Sequence, residues 1–218
     1  MVAVSGGKDS YTLLHILEIL RKKAPIKFEL VAVNIDPDFS GYRTDVIENH
    51  LKEHGYAYEM VKTNIYNTIE NHIEPNTSYC SFCSRLRRGV IYNKAEELGC
   101  TKIALGHHMD DFIETLLLNQ FFTGEIKAMA ARLVSDDKRN IVIRPLVNVE
   151  ESLIIQYSAM MEFPIVCCCC PVCGNQEMMR KNMKALLNEL SQKYPNIKKS
   201  MHKALSNVNS RHLLNKIN

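Results

Sequence analysis

Apolar residues fall into short runs and helix-spaced stretches that alternate along the chain. Met1–Val4 is an apolar run broken by Ser5, Gly6 and Gly7. Leu13, Leu14, Ile16, Leu17 and Leu20 then repeat at helical spacing and stop near Lys22–Pro25. Phe28–Ile35 reads as a buried strand closed by Asp36-Pro37. After it come a helix over Tyr42–His54, a strand over Tyr56–Val61 and a helix over Ile65–Ile73. Past a Pro-Asn-Thr-Ser loop, the pattern predicts a helix over Arg85–Leu98, a strand over Lys102–Leu105 and a helix over Asp110–Phe122. A basic small-residue stretch (Glu125–Arg132) and a polar turn (Ser135–Asn140) follow. The pattern resumes with a strand at Ile141–Ile143, a helix over Glu150–Met161 and a last strand at Phe163–Val166. Strands alternating with helices predict an α/β fold, a parallel sheet with crossover helices. Beyond a cysteine cluster the chain is helical and basic.

Composition narrows the class. The 218 residues are 46% hydrophobic and 23% charged, enough to bury a core and unlike a disordered, collagen-like or coiled-coil chain. No apolar run approaches the roughly 18–20 residues of a membrane helix, and no leader is evident, so the expectation is a cytoplasmic protein with no membrane partner. Charge is unevenly spread. Residues 180–218 hold nine Lys/Arg against Glu189 alone, a net +8 that leaves −5 on the rest of a chain whose total is +3. We expect residues 1–179 to form the catalytic domain and 180–218 a docked basic segment. A solvated helix face is the commoner meaning of such a run, but it also suits a polyanion.

Two strings at strand-to-helix junctions carry candidate phosphate chemistry. In Ser5-Gly6-Gly7-Lys8-Asp9-Ser10, glycines admit close backbone approach to a phosphate, and the following helix start offers unpaired N–H groups. Lys8 adds charge, and Asp9 could sit on magnesium. The string is not a Walker A loop, whose first glycine would fall at Val2 and whose Ser/Thr would fall at Asp9. Gly106-His107-His108-Met109-Asp110-Asp111 is placed to face it across one crevice. Asp110 and Asp111 there could hold magnesium or serve as a base; as plain helix-capping acids they would account for one carboxylate better than for two.

Eight cysteines point to metal or thiol chemistry rather than to disulfides in a reducing compartment. Cys80 and Cys83 form one C-x-x-C. Cys167, Cys168, Cys169, Cys170 and Cys173 form a crowded second group that contains another. Spacing leaves a four-cysteine zinc site, an iron–sulfur cluster and a redox pair all open. Arg85, Arg87 and Arg88 follow Cys83 and could stabilise thiolates or grip phosphate, if they are not simply a solvated face.

These strings together resemble a known family. SGGKDS looks like the PP-loop of ATP pyrophosphatases. CSFCSRLRRG over Cys80–Gly89, IALGHHMDD over Ile103–Asp111, KAM over Lys127–Met129, IRPL over Ile143–Leu146 and CPVCGNQ over Cys170–Gln176 resemble the TtcA family, the tRNA-cytidine(32) 2-sulfurtransferases. The resemblance implies a Rossmann-like (adenine nucleotide α-hydrolase-like) sheet. It also implies ATP as co-substrate with Mg2+, and a 4Fe-4S cluster on three cysteines. Carried onto this sequence, Cys80, Cys83 and Cys170 are the ligands, with Cys169 or Cys173 as substitutes for the third. Ser5, Gly6, Gly7, Lys8, Asp9, Ser10, Gly106 and His107 would bind the nucleotide. Lys8, Arg87, Asp110 and Asp111 would serve the chemistry. Partners so implied are tRNA, a cysteine desulfurase as sulfur source, and a second copy in a homodimer. The family usually has a segment ahead of the first strand, where this sequence begins, and often has Arg at the place of Met109. Rival readings are thiolation of a tRNA uridine, lysidine or amide formation on another acceptor, and an RNA-binding iron–sulfur redox sensor.

Overall fold

The computed structural model describes residues 1–72, 79–166 and 175–214, with the backbone alone at 80, 81 and 175–177. Six strands form one sheet: β1 (Val2–Ala3), β2 (Ala32–Asp36), β3 (Tyr58–Lys62), β4 (Ile103–Ala104), β5 (Arg132–Val134) and β6 (Ile141–Ile143). Their spatial order is β3-β2-β1-β4-β6-β5. All neighbours are parallel except β5, which pairs antiparallel with β6. This is the expected α/β parallel sheet with crossover helices.

The two-residue period of the strands sends side chains alternately to two cores. Val2, Val4 and Ala32 point to one face, where Leu13 and Leu14 of α1 (Lys8–Lys23), Ile47 and Leu51 of α2 (Thr44–Glu53) and Ile154 of α6 (Glu151–Met160) cover them. Met1, Val33, Ile35 and Ile103 point to the other, against Ile65 and Ile69 of α3 (Ile65–His72) and Cys83 and Ala95 of α4 (Tyr79–Glu97). A third cluster joins Met109, Ile113 and Leu117 of α5 (Met109–Leu118) to Met183 and Leu187 of α7 (Asn175–Lys193). Met201 of α8 (Ile197–Ala204) packs on its edge. The basic C-terminal helices thus bury apolar surface against the helix that begins at the Gly106–Asp111 string.

Three elements differ from the pattern expected of the sequence. Arg132–Val134 is an edge strand rather than loop, and its exposure on both faces is why no alternation marked it. Phe163–Val166 forms no strand and turns at Phe163, whose carbonyl accepts the Ile165 N–H at 2.9 Å; its Val166 N–H donates to the Gly6 carbonyl at 2.9 Å, so it braces the glycine turn. Finally, α4 starts at Tyr79, one and a half turns ahead of Arg85, which puts both Cys80 and Cys83 on its first turns.

Candidate active site

Strand order reverses between β1 and β4, and ligands of open parallel sheets settle outside the carboxyl ends of strands at such a point. Both candidate strings lie there. Gly6 turns the chain with φ +80°, and a Cβ on it would meet Ile47 Cδ1 at 2.8 Å and Val166 Cβ at 3.0 Å. Gly7 is the N-cap of α1 and carries no side-chain cap, so the N–H groups of that end face the crevice. Ser10 Oγ donates to the Gly7 carbonyl at 2.9 Å and accepts the Ser5 N–H at 3.2 Å, which closes the loop on itself. Tyr42 adds a strut by donating its hydroxyl to the Ser5 carbonyl at 3.1 Å. Gly106 lets β4's exit pass against the first turn of α1: a Cβ there would lie 2.9 Å from the backbone carbon of Asp9.

The acids of the two strings separate by environment. Asp110 is 2% exposed. One of its oxygens accepts the Glu151 N–H at 2.8 Å, and the other takes Lys198 Nζ at 2.6 Å. It therefore caps α6 from a distance. Asp111 Oδ2 accepts the His108 N–H at 2.9 Å, and its side chain keeps 21% of its surface open. Asp9 Oδ1 and Asp111 Oδ2 each lie 3.6 Å from Nε2 of the buried His108. Two half-open carboxylates thus converge on one imidazole, while the third is sealed.

Lys8 reaches Asp9 at 2.9 Å and Glu151 at 3.0 Å. Burial works against its charge, but hydrogen bonds and charge from Asp9 and Glu151 outweigh it and hold the ammonium above its ordinary value. Next door, burial drives His107 down to about 4, helped by the guanidinium of Arg144. Arg144 Nε donates to His107 Nδ1 at 3.3 Å, so the proton of the neutral ring sits on Nε2.

Cys83 and the glycine loop meet in one cavity. About 350 Å³ of space is bounded by Ser5 and Gly7 of the loop, Val33 and Ile35 of β2, and Cys83 and Arg87 of α4. Apolar walls with a few convergent polar groups suit a nucleoside. Cys83 is 2% exposed. Cys80 lies three residues earlier on the same helix, a spacing that puts both on one face. Cys170 and its neighbours Cys167–Cys169 and Cys173 lie outside the described residues.

The PP-loop domain family matches residues 1–164. The tRNA-cytidine(32) 2-sulfurtransferase of Citrifermentans bemidjiense is 59% identical over 215 residues, which cover 99% of this chain and 84% of that protein. Its counterpart in Geobacter metallireducens is 57% identical with the same coverage. This chain belongs to the tRNA-cytidine(32) 2-sulfurtransferase family of PP-loop enzymes. Its fold is also that of the U34-tRNA thiolase NcsA from Methanococcus maripaludis, solved with its [4Fe-4S] cluster. TM-score is 0.78 at 23% identity, over 98% of this chain and 72% of that one.

For a member of this sulfurtransferase family, several site residues carried no signal in sequence. Glu151 reads as an ordinary first-turn acid of α6, yet it holds both Lys8 and, at 2.6 Å, Lys184 of α7. Burial raises its pKa, and the two lysines overcome that and bring it down to about 2. Glu114, one turn beyond Asp110 on α5, is 8% exposed, and burial together with the Asp111 charge pushes it up to about 7. The basic tail is not wholly free to face a partner: Lys184, Lys198 and Lys199 pair with Glu151, Asp110 and Glu150. Only proximity in space reveals these links. Among the described residues no helix is long and apolar enough to cross a membrane.

Proposed function

We propose that this chain converts cytidine 32 of tRNA to 2-thiocytidine in an ATP-dependent reaction. One observation carries the reading: the phosphate-loop residues Ser5 and Gly7 line the same cavity as Cys83 and Arg87. A nucleotide held by the loop would lie beside the thiols. The names of the near-full-length relatives support the target base.

ATP would lay its phosphates on the loop amides and the N-terminus of α1, with its base against the Val33 and Ile35 wall. The C2 oxygen of the cytosine attacks the α-phosphorus, the bond to the bridging oxygen breaks, and pyrophosphate leaves. Lys8 and Arg87 neutralise charge that builds on the phosphates. Asp9 and Asp111 are the pair fitted to Mg2+, since their carboxylates are half open and converge near His108; Asp110 is committed to Lys198 and to the end of α6. Adenylation turns a poor leaving group into a good one. A sulfur nucleophile then adds at C2, and AMP departs with the original oxygen.

Buried Cys83, with Cys80 three residues before it on the same helix, is a donor set suited to iron. With Cys170 they would hold a 4Fe-4S cluster, which supplies a carrier for sulfur drawn ultimately from a cysteine desulfurase. A splayed anticodon-loop base can reach such a cavity at modest cost. Residues 1–179 act as the catalytic domain and 180–218 as a basic segment toward RNA, in a cytoplasmic enzyme that works as a homodimer. The test is anaerobic cluster reconstitution followed by ATP-dependent thiolation of tRNA, with nucleosides read by mass spectrometry. We expect 2-thiocytidine. Detection of 2-thiouridine instead, or full activity with zinc alone, overturns the reading.

A further inference from the structure

The C-terminal basic segment reaches the nucleotide loop through one carboxylate. Glu151 stands at the first position of α6 with its side chain 12% exposed. Its Oε1 lies 3.0 Å from Lys8 Nζ, and its Oε2 lies 2.6 Å from Lys184 Nζ of α7. Its backbone is held as well. The Glu151 N–H donates to Asp110, whose other oxygen is taken by Lys198 of α8. Glu151 and the Asp110 of α5 that accepts its N–H are thus both neutralised from the C-terminal helices, and Glu151 shares its charge with the loop lysine.

We propose that Glu151 is a positioning residue for Lys8, and that Lys184 sets how tightly it grips. A phosphate arriving over the loop must draw Lys8 away from its carboxylate partners. With Lys184 in place, the charge of Glu151 is already balanced, and Lys8 can turn to phosphate without leaving a bare buried carboxylate behind. Without Lys184 the full charge of Glu151 falls on Lys8, which holds the ammonium back and repels the incoming phosphates. The C-terminal segment therefore tunes nucleotide affinity across a distance its side chains never span directly. Neither Glu151 nor Lys184 need touch the nucleotide for this to hold.

The inference rests on the nucleotide reading of the loop, and a double-mutant cycle on the full chain separates the two. Mg-ATP affinity is measured by titration calorimetry for the unaltered chain, Lys184→Met, Glu151→Gln and the double variant, with thermal melts to establish folding. Lys184→Met should weaken Mg-ATP about three- to tenfold, the size of coupling found between charged residues in contact. In the Glu151→Gln background the same change should have almost no effect, because the charge that Lys184 balances is gone. A merely structural role of Lys184 would lower stability in both backgrounds and leave the two effects on affinity additive. Additivity, or an unchanged affinity in folded Lys184→Met, overturns the inference alone. Failure of the unaltered chain to bind Mg-ATP overturns the nucleotide reading and this inference with it. Should Lys184→Met not fold, Lys184→Arg keeps the charge at altered geometry, and it should bind Mg-ATP within about twofold of the unaltered chain; a loss as large as that expected for Lys184→Met would count against the role of charge.

Discussion

Three glycines separate two kinds of constraint, and substituting each by alanine tests the site's geometry. Gly6 combines a left-handed φ of +80° with a Cβ path blocked by Ile47 at 2.8 Å and Val166 at 3.0 Å. Gly41 has φ +86° and open space around it. For Gly41→Ala only the backbone term applies, about 1 kcal/mol once the lower entropy of the unfolded alanine chain is counted. Gly6→Ala carries that term together with an overpacking cost of about 1–3 kcal/mol, for a total of about 2–4 kcal/mol. At about 2–4 °C per kcal/mol for a chain of this length, Gly6→Ala should melt several degrees below Gly41→Ala. Gly106 lacks the positive φ, but its Cβ would press on the Asp9 backbone at 2.9 Å, and backbone yields less readily than a side-chain tip. Its alanine variant should therefore weaken Mg-ATP binding along with stability. Urea denaturation followed by far-UV circular dichroism gives the stabilities, and calorimetry gives the affinity. Equal losses in Gly6→Ala and Gly41→Ala would refute the steric account of the loop.

Two further outcomes concern pH. Burial, with the neighbouring charges of His54 and His15, lowers His50 to about 4, below its ordinary 6.5. The unfolded chain then binds more protons between those values, so this part of the stability is complete above pH 6.5 and is lost as pH falls toward 4. Thermal melts of the unaltered chain and His50→Gln should differ in slope over that window; parallel curves would remove His50 as the cause. Glu114 has the opposite sign. Burial and the Asp111 charge raise it to about 7 from 4.5, so its contribution is full below pH 4.5 and fades as pH rises through 7. Glu114→Gln should gain stability relative to the unaltered chain at pH 8 and not at pH 4.5, read by urea midpoints at the two values.

Much of the framework is legible in the sequence. Short apolar runs and helix-spaced leucines located β1, α1, β2 and α5, because strands buried on both faces must be apolar and α1 and α5 must cover them. Edge strand β5 was not legible: an exposed strand has no buried face and so leaves no alternation. Phe163–Val166 looked like a strand because it is an apolar run, yet Ile165 is exposed and the Val166 N–H goes to the glycine turn. The strings Ser5–Ser10 and Gly106–Asp111 were readable as candidate sites since loop glycines, a lysine and junction acids are rare together. Their division of labour was not, because Asp110 and Asp111 are neighbours in sequence and differ only in what surrounds them.

By itself the sequence determined the α/β class, the place of the Ser5–Ser10 glycine turn at the β1-to-α1 junction and the thiols available at Cys80 and Cys83. Those depend on local periodicity, on glycine's backbone freedom and on side-chain chemistry, all of which act within a few residues. Only the tertiary structure decided that the +8 segment spends Lys184, Lys198 and Lys199 on the body's own acids, and that Glu151 joins it to Lys8. Charge acts through space over a few ångströms, and the chain brings together residues far apart in sequence to set it.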